Sequence, residues 1–155
     1  MSHQLDTLDK RILALLSRDC RMSIAEIGQR VGLSTSACHR RIKLMEESGV
    51  IAGYSARLDP KALGRGMEAF VEVSLAEQSV AVLTAFEAAI EKTPEILECH
   101  LMSGRADYLL RLAVADPADY ERIHRQTLSS LPGVSRIYSS FSLKTIRPFR
   151  GYAPA

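Results

Sequence analysis

Gly32 stands between two stretches that each keep helical spacing, and this narrows the fold of residues 1–64 more than any other feature of the chain. Before it, Ile24, Ile27 and Val31 recur at three- and four-residue steps behind Ser23, and Glu26 follows that serine at the spacing of a capping box. After it, Leu33 can anchor the chain in a core and Ser34 can cap another helix at once. A left-handed helix end suits glycine best, so the pattern predicts two helices joined by a tight turn, a helix-turn-helix. A preceding amphipathic helix is expected from Leu5, Leu8, Ile12, Leu15 and Leu16, with Asp6, Asp9, Lys10 and Arg11 on its opposite side.

The helix that begins after Ser34 carries more charge than its stability requires. Thr35-Ser36-Ala37-Cys38-His39-Arg40-Arg41-Ile42-Lys43 holds three permanent cations and a histidine, and like charges at helical spacing repel by roughly a few tenths of a kcal/mol per pair. Cys38, Ile42 and Met45 form the buried stripe, which turns Thr35, Ser36, His39, Arg40 and Lys43 outward and sets Arg41 on the flank. Hydroxyls at a helix N-terminus suit phosphates, and arginine can grip guanine through two hydrogen bonds. Ser34, Thr35, Ser36, His39, Arg40, Arg41 and Lys43 are therefore the candidate DNA-binding residues, with double-stranded DNA as the partner. A merely solvated basic face is the plainer reading of three cations alone; the cap, the glycine turn and the buried stripe favour DNA. Local clustering matters more here than net charge. Residues 1–64 hold 10 Lys/Arg against 7 Asp/Glu, and residues 65–155 hold 10 against 11.

Residues 50–58 mix β-formers with breakers and predict a short strand or wing beside the helix-turn-helix. Asp59-Pro60, Gly64 and Gly66 then punctuate the chain. The expected division is a DNA-binding domain with wing and linker over 1–64 and a second domain over 65–155. In the latter, Ala69, Val71, Val73 and Leu75 alternate as in a strand, and Val80, Leu83, Phe86 and Ile90 keep helical spacing. Strands over 96–102 and 108–115 flank Gly104-Arg105-Ala106-Asp107. Asp116-Pro117 starts a helix whose apolar face is Tyr120, Ile123, Thr127, Leu128 and Leu131, and 134–146 reads as the last strand. The order βαββαβ predicts an α+β chain: a winged helix-turn-helix, then a ferredoxin-like domain with both helices on one face of its sheet. The other face is expected to display Phe70, Leu109 or Leu110, and Tyr138 or Phe141, apolar enough to pack against a second copy.

Other classes are disfavoured. With 46% apolar and 25% charged residues the chain has the composition of a folded globular protein. No apolar run approaches the roughly 20 residues that span a bilayer, and no basic segment leads into an apolar one at the N-terminus. No membrane association and a cytoplasmic location are expected. Cys20, Cys38 and Cys99 are odd in number and widely spaced, which suggests neither a disulfide framework nor a metal site. His100 beside Cys99, and His124 among Glu121 and Arg125, form no spacing that reads as catalytic. No enzyme activity and no cofactor are expected.

Together these residues resemble the Lrp/AsnC family of feast/famine transcription regulators over nearly the whole chain. The resemblance is carried by Leu8-Asp9 with Ile12-Leu13, by Val31-Gly32-Leu33-Ser34 with Cys38, Arg41 and Ile42, by Gly49-Val50-Ile51, and by Gly104-x-x-Asp107-Tyr108. It implies a regulator that assembles as a homodimer and further to an octamer, and whose effector, commonly an amino acid, binds near that hairpin. Gly104, Asp107 and Tyr108 carry over directly as effector-binding residues. Glycine would let backbone amides approach a carboxylate, and Asp107 could accept from an α-ammonium. Met102 and the run Ser139-Ser140 with Ser142, Ser140 foremost, are the candidates for side-chain selectivity. The alternative is that Asp107 serves only its own turn. Two rivals stay open: a ligand-independent, nucleoid-organising DNA binder, and a decarboxylase of haem synthesis with related architecture.

Overall fold

The computed structural model describes residues 4–149 together with Gly151 and Tyr152. They fall into two compact units, residues 58–146 and the described residues of 1–57 with those beyond 146. The division thus lies at Arg57/Leu58, ahead of the glycine-punctuated stretch where composition placed it, and the last residues group with the first unit.

Three helices build the first unit: α1 (Thr7–Leu16), α2 (Ile24–Val31) and α3 (Thr35–Glu47). Ile12, Ile27, Val31, Cys38, Ile42 and Met45 form its buried core, with Leu5, Leu13, Leu15, Leu16, Met22, Ile24, Leu33 and Ile51 packed around them. The turn between α2 and α3 is shaped by two glycines. Gly32 takes the left-handed conformation at φ 77°, and the Leu33 N–H donates back to the Gly28 carbonyl at 2.8 Å. A Cβ on Gly28 would lie 2.8 Å from the Leu33 carbonyl oxygen, so α2 can meet its own turn only with hydrogen at that position.

Ser23 and Ser34 cap α2 and α3 as expected, accepting from the Glu26 and Ala37 N–H groups, each at 3.2 Å. The reciprocal capping box belongs instead to α1. There Asp9 N–H donates to Asp6 Oδ1 at 2.8 Å, and Asp6 N–H donates to Asp9 Oδ2 at 3.2 Å. Asp9, expected on the solvent side, has a side chain only 1% exposed, because Arg41 from α3 covers and neutralises it. The strand expected as one form of residues 50–58 is absent: they carry bends and irregular backbone only. Extended backbone becomes a strand only when a neighbour completes its hydrogen bonds, and the one sheet described consists of four strands from the second unit.

The second unit contains β1 (Met67–Leu75), α4 (Val80–Ile90), β2 (Ile96–Leu101), β3 (Tyr108–Val114), α5 (Pro117–Gln126) and β4 (Val134–Phe141), with a 3₁₀ turn at Leu128–Ser130. The sheet is antiparallel in the order β2-β3-β1-β4, the ferredoxin-like arrangement. One face is sealed: Ala69, Val71, Val73 and Leu75 join Tyr108, Leu110, Leu112 and Val114 in a core with Phe86, Tyr120, Ile123, Leu128 and Leu131. Period two sends Glu68, Phe70, Glu72, Leu109, Arg111, Tyr138 and Ser140 to the other face. That face therefore shows Leu109 and Tyr138 rather than Leu110 and Phe141; Phe141 packs edge-on against Tyr120 at a centroid distance of 4.9 Å. The last strand is shorter than expected. Ser142 N–H still bonds to the Glu68 carbonyl at 2.9 Å, one residue from the start of β1 at Met67.

Candidate nucleic-acid interface and effector site

Helix α3 rests on Cys38, Ile42 and Met45, all buried, and this stripe fixes which side chains face out. Thr35, Ser36, His39, Arg40 and Lys43 are exposed, and Ser34 stands at the N-terminus with its hydroxyl 3.2 Å from that of Ser36. Arg40 forms no ion pair among the described residues. Lys43 makes only a loose contact with Glu47 at 3.6 Å, both side chains being more than half exposed. Such exposed pairs contribute about 0.3–0.5 kcal/mol, far too little to withhold the lysine from a polyanion. The face thus presents hydroxyls at the positive end of a helix and cations along its length.

Arg41 is the exception among the sequence candidates. Its Nη1 donates to Asp6 Oδ2 at 2.8 Å and to Asp9 Oδ1 at 2.7 Å, so one guanidinium nitrogen is engaged by α1. Asp9 foremost and then Asp6 raise its pKa still further. The Asp9 N–H, and less strongly Arg41, hold the Asp6 carboxyl below its usual range. Arg41 thus flanks the stripe as expected, and it turns one guanidinium nitrogen toward α1.

At the other candidate site, residues 102–107 connect β2 to β3. Met102 N–H donates to the Asp107 carbonyl at 2.8 Å and Asp107 N–H to the Val73 carbonyl at 3.0 Å. The Asp107 carboxylate has two partners in its own chain. Oδ2 accepts from Leu75 N–H at 2.7 Å and Oδ1 from Gln78 Nε2 at 2.5 Å. It closes the start of β3 onto the end of β1. Met102 is 44% exposed. Gly104 has open space around it and does not adopt positive φ, so neither sterics nor conformation demands glycine there.

Tyr108 is not a surface residue. It is 1% exposed, stacks on Phe86 at 4.4 Å between centroids, and donates its hydroxyl to Glu87 at 2.8 Å. Burial, aided by Glu87, raises its pKa well above the usual phenol range. Ser140 is exposed on β4 opposite Phe70, whereas Asp107 adjoins Val73 and Leu75. Ser140 therefore lies on the far edge strand, and one subunit does not bring it to the turn. Sequence reasoning missed a cavity of about 140 Å³ elsewhere in this unit, lined by Arg65, Glu95, Asp119 and Arg122 among others. Asp119 and Arg122 pair across 2.7 Å within it. Among the described residues no cluster of histidine, cysteine and acids could hold a metal, and no helix is long and apolar enough to cross a membrane.

The model of the Lrp/AsnC ligand-binding domain matches residues 68–152, and a winged helix-turn-helix DNA-binding model matches residues 5–52. The chain belongs to the Lrp/AsnC family of transcription regulators. It is 42% identical to the Bkd operon transcriptional regulator of Pseudomonas aeruginosa, over 92% of this chain and 94% of that one. It is 43% identical to the leucine-responsive regulatory protein of Salmonella typhimurium, over 84% and 80%. Among solved structures, a transcriptional regulator of Neisseria meningitidis in complex with L-Met shares 36% identity, covers 94% of both chains and superposes with a TM-score of 0.89. This Lrp/AsnC member therefore couples a helix-turn-helix DNA-binding domain to a ligand-binding domain built on a four-stranded antiparallel sheet.

Proposed function

We propose that this regulator reads double-stranded DNA through Ser34, Thr35, Ser36, His39, Arg40 and Lys43, and that a free amino acid bound at the 102–107 turn changes its assembly or its DNA affinity. The basic face of α3, with Arg40 unpaired among the described residues, supports the first half. Gly104 carries the second: the fold does not require glycine there, whereas a ligand carboxylate approaching the backbone of an exposed turn does. L-Met in the Neisseria relative agrees with the ligand class. Met102 supplies an adaptable apolar wall beside that backbone, and Asp107 holds the turn in shape through Leu75 and Gln78 while keeping lone pairs for an ammonium. The regulator acts where the DNA is, in the cytoplasm, without catalysis or cofactor.

A dimer, and from it an octamer, completes the proposal. Phe70, 37% exposed, and Tyr138, 61% exposed, stand with Leu109 on the open face of the sheet, and a second copy would cover them. Two-fold symmetry then sets two reading heads about one helical turn of DNA apart. Thermal unfolding against a panel of all amino acids, followed by calorimetry of the best ligand with wild type and Gly104→Val, tests the effector half. A rise in melting temperature that the valine variant loses supports it; no response to any amino acid refutes it.

A further inference from the structure

Resting on the reading of α3 as the DNA-contacting helix, we infer that Arg41, Asp9 and Asp6 form a positioning clamp that fixes the roll of α3 against α1, and that none of them touches DNA. Asp6 and Asp9 are locked first by each other. Each carboxylate uses one oxygen to accept the other's backbone N–H, Oδ1 of Asp6 and Oδ2 of Asp9. The remaining oxygens, Asp6 Oδ2 and Asp9 Oδ1, are thereby aimed at one point, which Arg41 Nη1 occupies at 2.8 and 2.7 Å. One nitrogen from the middle of α3 is thus pinned to a capping box that cannot turn without breaking the start of α1.

The clamp supplies what the apolar stripe lacks. Cys38, Ile42 and Met45 give α3 a side to bury, but apolar contact is not directional and tolerates small rotations. Groups that recognise a ligand must be held to within roughly 10–20°. A short, charge-assisted contact to a carboxylate 1% exposed imposes that limit, and fixing register is the best-attested use of a buried ionic group. Arg41 neighbours both Arg40 and Ile42 in sequence, so the clamp acts between the reading face and the core stripe.

The sign of one substitution separates this role from direct contact. Asp9→Asn removes the buried negative charge that Arg41 neutralises. If Arg41 could reach a phosphate once released, Asp9→Asn would tighten DNA binding. A positioning clamp predicts the reverse: Asp9→Asn weakens binding about tenfold, Arg41→Gln weakens it comparably, and the double variant is no weaker than the worse single one, since both break the same element. DNA affinity is measured by anisotropy titration, with the active fraction taken from stoichiometric titration so that loss of folded protein is not mistaken for loss of affinity. If Asp9→Asn does not fold, Asp6→Asn replaces it; asparagine still caps the helix, and weaker binding is again expected. Tighter or unchanged binding in the Asp variant overturns the clamp. Arg40→Ala and Lys43→Ala serve as controls: if neither weakens binding, α3 is not the reading helix and the inference falls with it, whereas weakening there with tighter binding in the Asp variant overturns the clamp alone.

Discussion

The Tyr108 hydroxyl donates to Glu87 across 2.8 Å from inside the core of the ligand-binding unit, which ties β3 to α4. Tyr108→Phe removes that hydrogen bond and leaves the exposed Glu87 free to meet water, so the loss of stability should be modest, about 0.5–1.5 kcal/mol. Effector affinity should not change. Chemical denaturation with calorimetry checks both; an abolished effector response in a folded Tyr108→Phe protein would restore this residue to the site.

Tyr54 provides a pH test in the other unit. Its phenol is pushed up to about 12, first by burial and then by Glu46, to which it donates at 2.8 Å. A folded-state pKa raised above the unfolded value, 10.0 for the free side chain, stabilises below that value and is lost as pH climbs through the folded one. Stability should therefore fall between about pH 10 and 12, and Tyr54→Phe should flatten that slope. Denaturation midpoints across the window measure it.

Gly28 and Gly104 should answer oppositely to the same change. Gly28→Ala drives a methyl against the Leu33 carbonyl and should cost about 1–3 kcal/mol, with weaker DNA binding because the α2–α3 turn shifts. Gly104→Ala meets open space and should leave stability within about 0.5 kcal/mol. Urea denaturation of the two variants is sufficient.

The sequence was most informative where structure is local. Ser23, Gly32 and Ser34 act within a few residues of themselves, so their roles as caps and turn were legible, and the alternation over 69–75 placed β1 correctly. The acidic partners of Arg41 lie 32 and 35 residues away, and periodicity cannot see a partner on another helix. The partners of Asp107 were hidden for the same reason, since Leu75 and Gln78 lie on other segments. Tyr108 was within reach: it shares parity with Leu110, Leu112 and Val114, so it must share their buried face. Residues 50–58 have the composition of a strand or wing, but nothing in composition could say that no strand pairs with them.

Arg40→Ala and Lys43→Ala should each weaken DNA binding without altering the melting temperature. A phosphate contact should lower the slope of log affinity against log salt by about one unit, and a base contact should cost roughly 1–3 kcal/mol at one operator position. Mobility shifts over a salt series distinguish the two.

Anisotropy titration of an operator fragment, with and without the amino acid that most raises the melting temperature, tests the coupling between the two units directly. The amino acid should shift the dissociation constant for DNA by a factor of about 5 to 150, a coupling of roughly 1–3 kcal/mol, and Gly104→Val should erase the shift while leaving effector-free binding near wild type. An identical dissociation constant with every amino acid, in a protein that binds its operator, would contradict the account.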